Sequence, residues 1–242
     1  MGVAAGPDII DANLILDLDA LDKNSYPGTG TTWYDLSGNN YNFTLNGSYS
    51  YINNNQTPCF SFPGGYYDVT CATRAGTIAY DIGTQCTVQV TYSSIGGAVY
   101  HGCSRLFSVN DGSSNNVDYS NFFTLASCDQ YKHGLWYQNN PGGLYPTTNT
   151  VSANDSWFTA VYSWTAGSSA KVYMNGVLEN STGTVASAFN YANVQRMTVA
   201  MNSNLSIEHA NVNVAKVLLY SRQLSDLEVL QNYNATKTRF GR

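Results

Sequence analysis

Short apolar runs separated by turn residues recur along the chain, the pattern of a sandwich or barrel of strands. Leu14, Leu16 and Leu18 alternate with Ile15, Asp17 and Asp19, which predicts a first strand with one leucine face turned inward. Val88, Val90 and Tyr92 alternate with Gln89 and Thr91 in another. Trp157 to Trp164 is apolar on both faces, as a central strand would be, and Val212 to Tyr220 reads as a last long strand. Within Lys171 to Leu178, Asn175-Gly176 supplies the two positive-φ positions of a type I′ turn and predicts a hairpin.

One short helix is marked by its own start signals. Ser225 and Glu228 have the spacing of a capping box, and Leu224 and Val229 that of a hydrophobic staple. Leu227, Leu230 and Tyr233 then offer an apolar stripe expected to dock on the sandwich. The Gly/Asn-rich stretches Tyr26 to Gly47, Asn110 to Tyr119 and Gln138 to Asn149 read as long loops within one domain, with short tails at either end. The expected fold is therefore all-β, a sandwich or barrel with one short C-terminal helix, spanning 1–242 as a single domain.

Composition narrows the function. Only 11% of the 242 residues are charged, against about 25% in ordinary globular domains. Polarity comes instead from Asn, Ser, Thr, Gly and 19 tyrosines, which suit turns and rigid amphipathic contact surfaces. A net charge of -5 without a basic stripe argues against nucleic acid, and no apolar run is long enough to span a membrane. Lys237, Arg239 and Arg242 cluster near the end, where a solvated or interface-facing tip is expected. Met1 to Asp11 lacks the basic start and apolar stretch of a signal peptide, so synthesis in a cytoplasm is expected.

The five cysteines, Cys59, Cys71, Cys86, Cys103 and Cys128, contain no CxxC pair, and His101, His133 and His209 are scattered. A zinc site needs such ligands at short spacings. Free thiols in a reducing compartment are the expectation, with one disulfide left open.

Three segments have a familiar order: Leu14 to Ala20, then Ser25-Tyr-Pro-Gly28, then Thr31-Thr-Trp-Tyr-Asp-Leu-Ser-Gly-Asn39. Together they resemble the opening of laminin G-like, concanavalin A-like jelly-roll domains of the kind found in virion proteins of bacterial viruses. Lys171 to Leu178 resembles that family's penultimate strand pair, and Val217 to Asn234 its closing strand plus helix. The resemblance implies two curved antiparallel sheets with the first and last strands side by side. It does not imply an activity, because the fold hosts enzymes, lectins and structural modules alike.

The catalytic relatives carry a Glu-x-Asp-x-Glu strand that sets two carboxylates about 5–5.5 Å apart. Here the glutamates are Glu179, Glu208 and Glu228, far apart in sequence. Asp17 and Asp19 share a strand face, but are expected to accept backbone N–H bonds from the Asn13 to Tyr26 loop. No nucleophile elbow or phosphate-binding glycine loop is present, so no enzyme is expected. Calcium is the cofactor left open, with Asp111, Asn115, Asn116 and Asp118 as the first candidate ligands and Asp35 with Asn39 as the second; otherwise none is expected.

Sugar binding needs an aromatic ring to stack on a sugar face and a few groups to bond hydroxyls. Trp136, Tyr137, Gln138, Asn139, Asn140 and Tyr145 offer these in one segment, and Tyr66 with Tyr67 in another. The first functional expectation is a non-catalytic virion surface protein: a capsid decoration, fibre-head or capsid-associated module. Its partners would be other virion structural proteins and host-surface glycans. The alternative is a carbohydrate-binding lectin module of a glycoside hydrolase, or a degenerate relative of one.

Overall fold

The computed structural model describes residues 7–53, 57–64, 70–95, 103–110, 122–128, 132–137, 144–147, 156–182, 196–201 and 209–240, with the backbone course alone at 103–104, 110, 122–128, 132–137 and 144–147. Two eight-stranded antiparallel sheets face each other. Sheet I runs β14 (Val177–Thr182), β13 (Ala170–Met174), β12 (Trp157–Thr165), β7 (Gln85–Ser94), β16 (Val212–Tyr220), β5 (Cys59–Phe62) and β4 (Ser50–Ile52), with β1 (Leu14–Asp19) also on β16. Sheet II runs β11 (Leu144–Thr147), β10 (Lys132–Tyr137), β9 (Phe122–Cys128), β8 (Cys103–Asn110), β15 (Arg196–Val199), β6 (Cys71–Ala75), β3 (Phe43–Asn46) and β2 (Thr32–Trp33). The first and last strands pair antiparallel, Leu14 opposite Tyr220 and Asp19 opposite Lys216.

One large core fills the space between the sheets. Val88, Val90 and Tyr92 from β7 meet Ala160, Tyr162 and Trp164 from β12 and Val214, Val217 and Leu219 from β16. Phe43, Phe107, Val109, Met197 and Val199 come from sheet II. The intervening residues of β12, including Thr159, Val161 and Ser163, are buried too, so this strand is covered on both faces as its sequence predicts. The Asn175-Gly176 turn has φ of 52° and 79°, the geometry expected from that dipeptide.

Two departures from the sequence reading have plain physical causes. A bulge between Leu14 and Leu16 breaks the alternation of β1. Ile15, Leu16 and Leu18 therefore lie in the main core, whereas Leu14 packs against a second cluster outside sheet I. The stretch Tyr26 to Gly47 is not a plain loop, because it contains β2 and β3, and β11 lies inside Gln138 to Asn149. Strands of two to four residues are too short to show a period.

The helix α1 (Asp226–Thr236) begins as expected. Ser225 Oγ accepts from Glu228 N–H, Glu228 accepts from Ser225 N–H, and Leu224 and Val229 are both buried in the outer cluster. Its docked face differs from the one expected. Val229, Asn232 and Thr236 are buried, while Leu227 is 78% and Leu230 39% exposed. The staple fixes Val229 inward, and at about 100° per residue positions 232 and 236 follow it while 227 points away. Asn232 is held from both ends: Nδ2 donates to Tyr220 OH, and Oδ1 accepts from Ile10 N–H.

Candidate functional site

The sheet II face opposite the core is built by simple alternation. Phe43, Phe107, Val109, Met197 and Val199 enter the core, so Thr44, Ser108 and Thr198 between them belong to the other face. Cross-strand register then lines up one residue from every strand. The row runs Thr32, Thr44, Thr73, Thr198, Ser108, Thr124, Trp136 and Leu144. Six hydroxyl residues thus stand in file with a tryptophan near the end. Thr44 is exposed, Thr32 and Thr73 are half-buried, and Thr198 and Ser108 are buried. Asn46 Nδ2 donates to Thr73 Oγ1, and Thr198 Oγ1 donates to the Met201 carbonyl.

Charge is sorted between the sheets. The strands of sheet II carry Arg74, Arg105, Lys132 and Arg196 and no aspartate or glutamate, in a chain of net charge -5. Register places Arg105, Lys132 and Arg196 on the hydroxyl side of the alternation. Arg105 is buried and Arg196 half-buried.

Of the predicted sugar-contacting residues, Trp136 falls in this row. Tyr137 and Tyr145 do not: Tyr137 pairs with Phe123, which is opposite Val109, and Tyr145 pairs with Leu135, whose partner Leu125 is opposite Phe107. These are the rows of the core residues, so the strand period separates the three aromatics that sequence proximity had grouped. Gln138, Asn139, Asn140, Tyr66, Tyr67, Asp111, Asn115, Asn116 and Asp118 lie outside the described residues.

The second calcium candidate is used up by its own loop. Asp35 accepts from Asp17 N–H, Ser37 N–H, Ser37 Oγ and Tyr41 N–H, which fills its carboxylate. Asn39 donates to the Ile15 carbonyl and accepts from Tyr80 OH. This is loop-stapling chemistry, and these residues do not fit a calcium ion. Among the described residues no group of three or more His, Cys, Asp or Glu could hold a metal, and no helix is long and apolar enough to cross a membrane.

Asp17 and Asp19 are not an open carboxylate pair. Lys216 Nζ bridges them at 2.7 and 2.9 Å, and Arg239 adds a two-pronged contact to Asp19. One backbone donor, Leu21 N–H, joins them at Asp19. Burial opposes the charged form of Asp19, but Arg239 and Lys216 outweigh it and hold the carboxyl well below its usual range. Burial pushes the Asp17 carboxyl up against the pull of Lys216. Arg239 is therefore an internal clasp rather than part of a free tail, and Lys237–Phe240 forms a docked 3-10 turn.

Outside sheet I, a narrow cleft is lined by Thr91, Trp157, Thr159, Asn175, Tyr233, Lys237 and Phe240. Sequence reasoning missed it. The clue was Phe240, an aromatic seven residues beyond Tyr233, the last member of the expected helix stripe. Trp157 packs on Phe240 at 5.1 Å and Lys237 sits 5.8 Å from the Tyr233 ring, so the cleft is largely the seat of the last turn.

No family model matches the chain, and no curated protein sequence does. Its backbone is similar to several solved structures. Domain 4 of AbnA, a GH43 extracellular arabinanase from Geobacillus stearothermophilus solved with arabinotriose, is 16% identical with a TM-score of 0.69. That likeness covers 92% of this chain and 98% of the domain. Trypanosoma rangeli sialidase in complex with 2,3-difluorosialic acid is 14% identical with a TM-score of 0.68, over 98% of this chain and 35% of the sialidase. The binding domain of botulinum neurotoxin DC, solved with rat synaptotagmin II, is 12% identical with a TM-score of 0.67, over 93% of this chain and 52% of that domain. The chain spans about a third of the length of the sialidases it matches. At these identities the likeness is one of fold: an antiparallel two-sheet sandwich closed by a short helix.

Proposed function

We propose that this chain is a non-catalytic carbohydrate-binding sandwich, and that the outer face of sheet II around Trp136 meets the sugar. The observation that carries the reading is the correspondence, nearly end to end on both sides, with an arabinanase domain solved with arabinotriose. The chemistry of the face supports it. Thr44 is exposed and Thr32 and Thr73 are half-buried, so their hydroxyls can exchange hydrogen bonds with sugar hydroxyls, and an indole offers an apolar plane to a sugar ring. Asp17 and Asp19, each held by Lys216 and one also by Arg239, are engaged in structure rather than poised as acid and nucleophile.

The virion setting rests on the resemblance of the two ends of the chain. Adhesion to glycans is common to that setting and to the module of a sugar-active enzyme, and the structural neighbours favour the module. A glycan array with the wild-type chain and Trp136→Ala tests the binding. Binding lost in Trp136→Ala and kept in the surface control Leu227→Ala supports the reading, and an array blank for the wild type contradicts it.

A further inference from the structure

Register in sheet II brings two cysteines together. In the β8–β9 pair, Cys103 is directly opposite Cys128. Directly opposed residues of antiparallel strands have Cα atoms about 4.5 or 5.5 Å apart, inside the about 4.4–6.8 Å that a disulfide spans. The strands need not move to bridge them. The other three cysteines have no such opposite number: Cys59 faces Ile52, Cys71 faces Asn46 and Cys86 faces Trp164.

We infer that Cys103 and Cys128 close a cross-strand disulfide when the chain meets a low-molecular-weight disulfide such as oxidised glutathione. The site stands apart from the sugar-binding reading and does not depend on it.

The exchange runs in two balanced steps. One cysteine thiolate attacks a sulfur of oxidised glutathione, breaking its S–S bond and releasing one glutathione thiolate. The second cysteine thiolate attacks the resulting mixed disulfide, forms the protein S–S bond and releases the second glutathione. Two electrons pass from the cysteines to the reagent, and the two thiol protons end on the two glutathiones.

Selectivity follows from the environments of the remaining thiols. Cys59, Cys71 and Cys86 are buried and free. Burial pushes the Cys59 and Cys71 thiols up to about 12 and Cys86 higher still, although Trp164 Nε1 donates to its sulfur. Such thiols hold almost no thiolate at neutral pH and react slowly. The bridge would clamp the end of the hairpin from which β10 starts, where Lys132 is in register with Cys128 and leads to Trp136.

The test is disulfide mapping. The folded wild-type chain is incubated with oxidised glutathione, denatured, alkylated and digested, and its intact mass is recorded. The expected result is a Cys103–Cys128 linked peptide, alkylation of Cys59, Cys71 and Cys86, and an intact mass lower by about 2 Da before alkylation, the two lost hydrogens. Cys103→Ser should form no intramolecular bridge. Alkylation of all five cysteines, a bridge that involves Cys59, Cys71 or Cys86, or two stable glutathione adducts in place of a bridge would overturn the inference.

Discussion

Asp19 and Arg239 clasp each other across 220 residues, with Nη1 at 2.8 Å from Oδ2 and Nη2 at 2.6 Å from Oδ1. The contact locks the last turn of the chain onto the first strand. Asp19 is 8% exposed at its side chain, so removing its partner leaves a largely buried charge with only Lys216 to answer it. Arg239→Ala should therefore destabilise the fold by about 3 kcal/mol, the lower end for breaking a buried pair. Urea midpoints at neutral pH measure this. An unchanged midpoint would mean that the 3-10 turn is not docked.

Acid should act through the same clasp. The Asp19 carboxyl is held well below its usual range, by Arg239 and Lys216 against the cost of burial. Glu228 is lowered to about 2, chiefly by Arg222. Both groups have depressed values in the fold, so their stabilisation is complete above the unfolded carboxylate values near 4 and lost as pH falls towards the folded values. Stability should hold from pH 7 to about 5 and fall below about 4. Asp19→Asn should flatten that fall. An acid profile identical to wild type in this variant would contradict the assignment.

The helix gives a sharper contrast. Leu224 is 1% exposed and Leu227 78%, only three residues apart. Leu224→Ala should cost about 2–5 kcal/mol through lost transfer energy and a cavity, whereas Leu227→Ala should stay within about 0.5 kcal/mol. Ser225→Ala should cost about 1 kcal/mol through the cap. Equal losses at Leu224 and Leu227 would mean that the helix docks on its other face.

The hairpin turn also packs against the helix, at Tyr233 and Leu230. Gly176 has φ of 79°, and a Cβ there would meet Tyr233 at 2.9 Å and Leu230 at 3.1 Å. Gly176→Ala combines backbone strain with a clash and should cost more than about 1 kcal/mol. Thermal melts measure it directly, and a neutral or stabilising change would show that the turn and helix separate freely.

Local signals in the sequence were legible where one motif carries the geometry. The Ser225–Glu228 box, the Asn175-Gly176 turn and the β12 run of alternating core and covered residues all depend on neighbours in the chain. The docked face of α1 was not legible, because Asn232 and Thr236 do not look like core residues. Asn232 is held through a partner more than 200 residues away, the Ile10 N–H, while Thr236 turns its hydroxyl back onto the helix carbonyls of Asn232 and Tyr233. The clasp of Asp19 and Arg239 is equally long-range. Trp136 could be named as a candidate from its type, but only cross-strand register shows that it files with Thr124, Ser108 and Thr198 while Tyr137 and Tyr145 do not.

The central claim is that this sandwich holds a sugar without cleaving it. Saturation-transfer NMR on the chain mixed with arabino-, sialylated and sulfated oligosaccharides tests both halves in one time course. The account predicts transfer to the protons of at least one saccharide, its loss in Trp136→Ala, and an anomeric region that stays unchanged over days. Transfer to none of the saccharides, or new reducing-end signals growing with time, would contradict it.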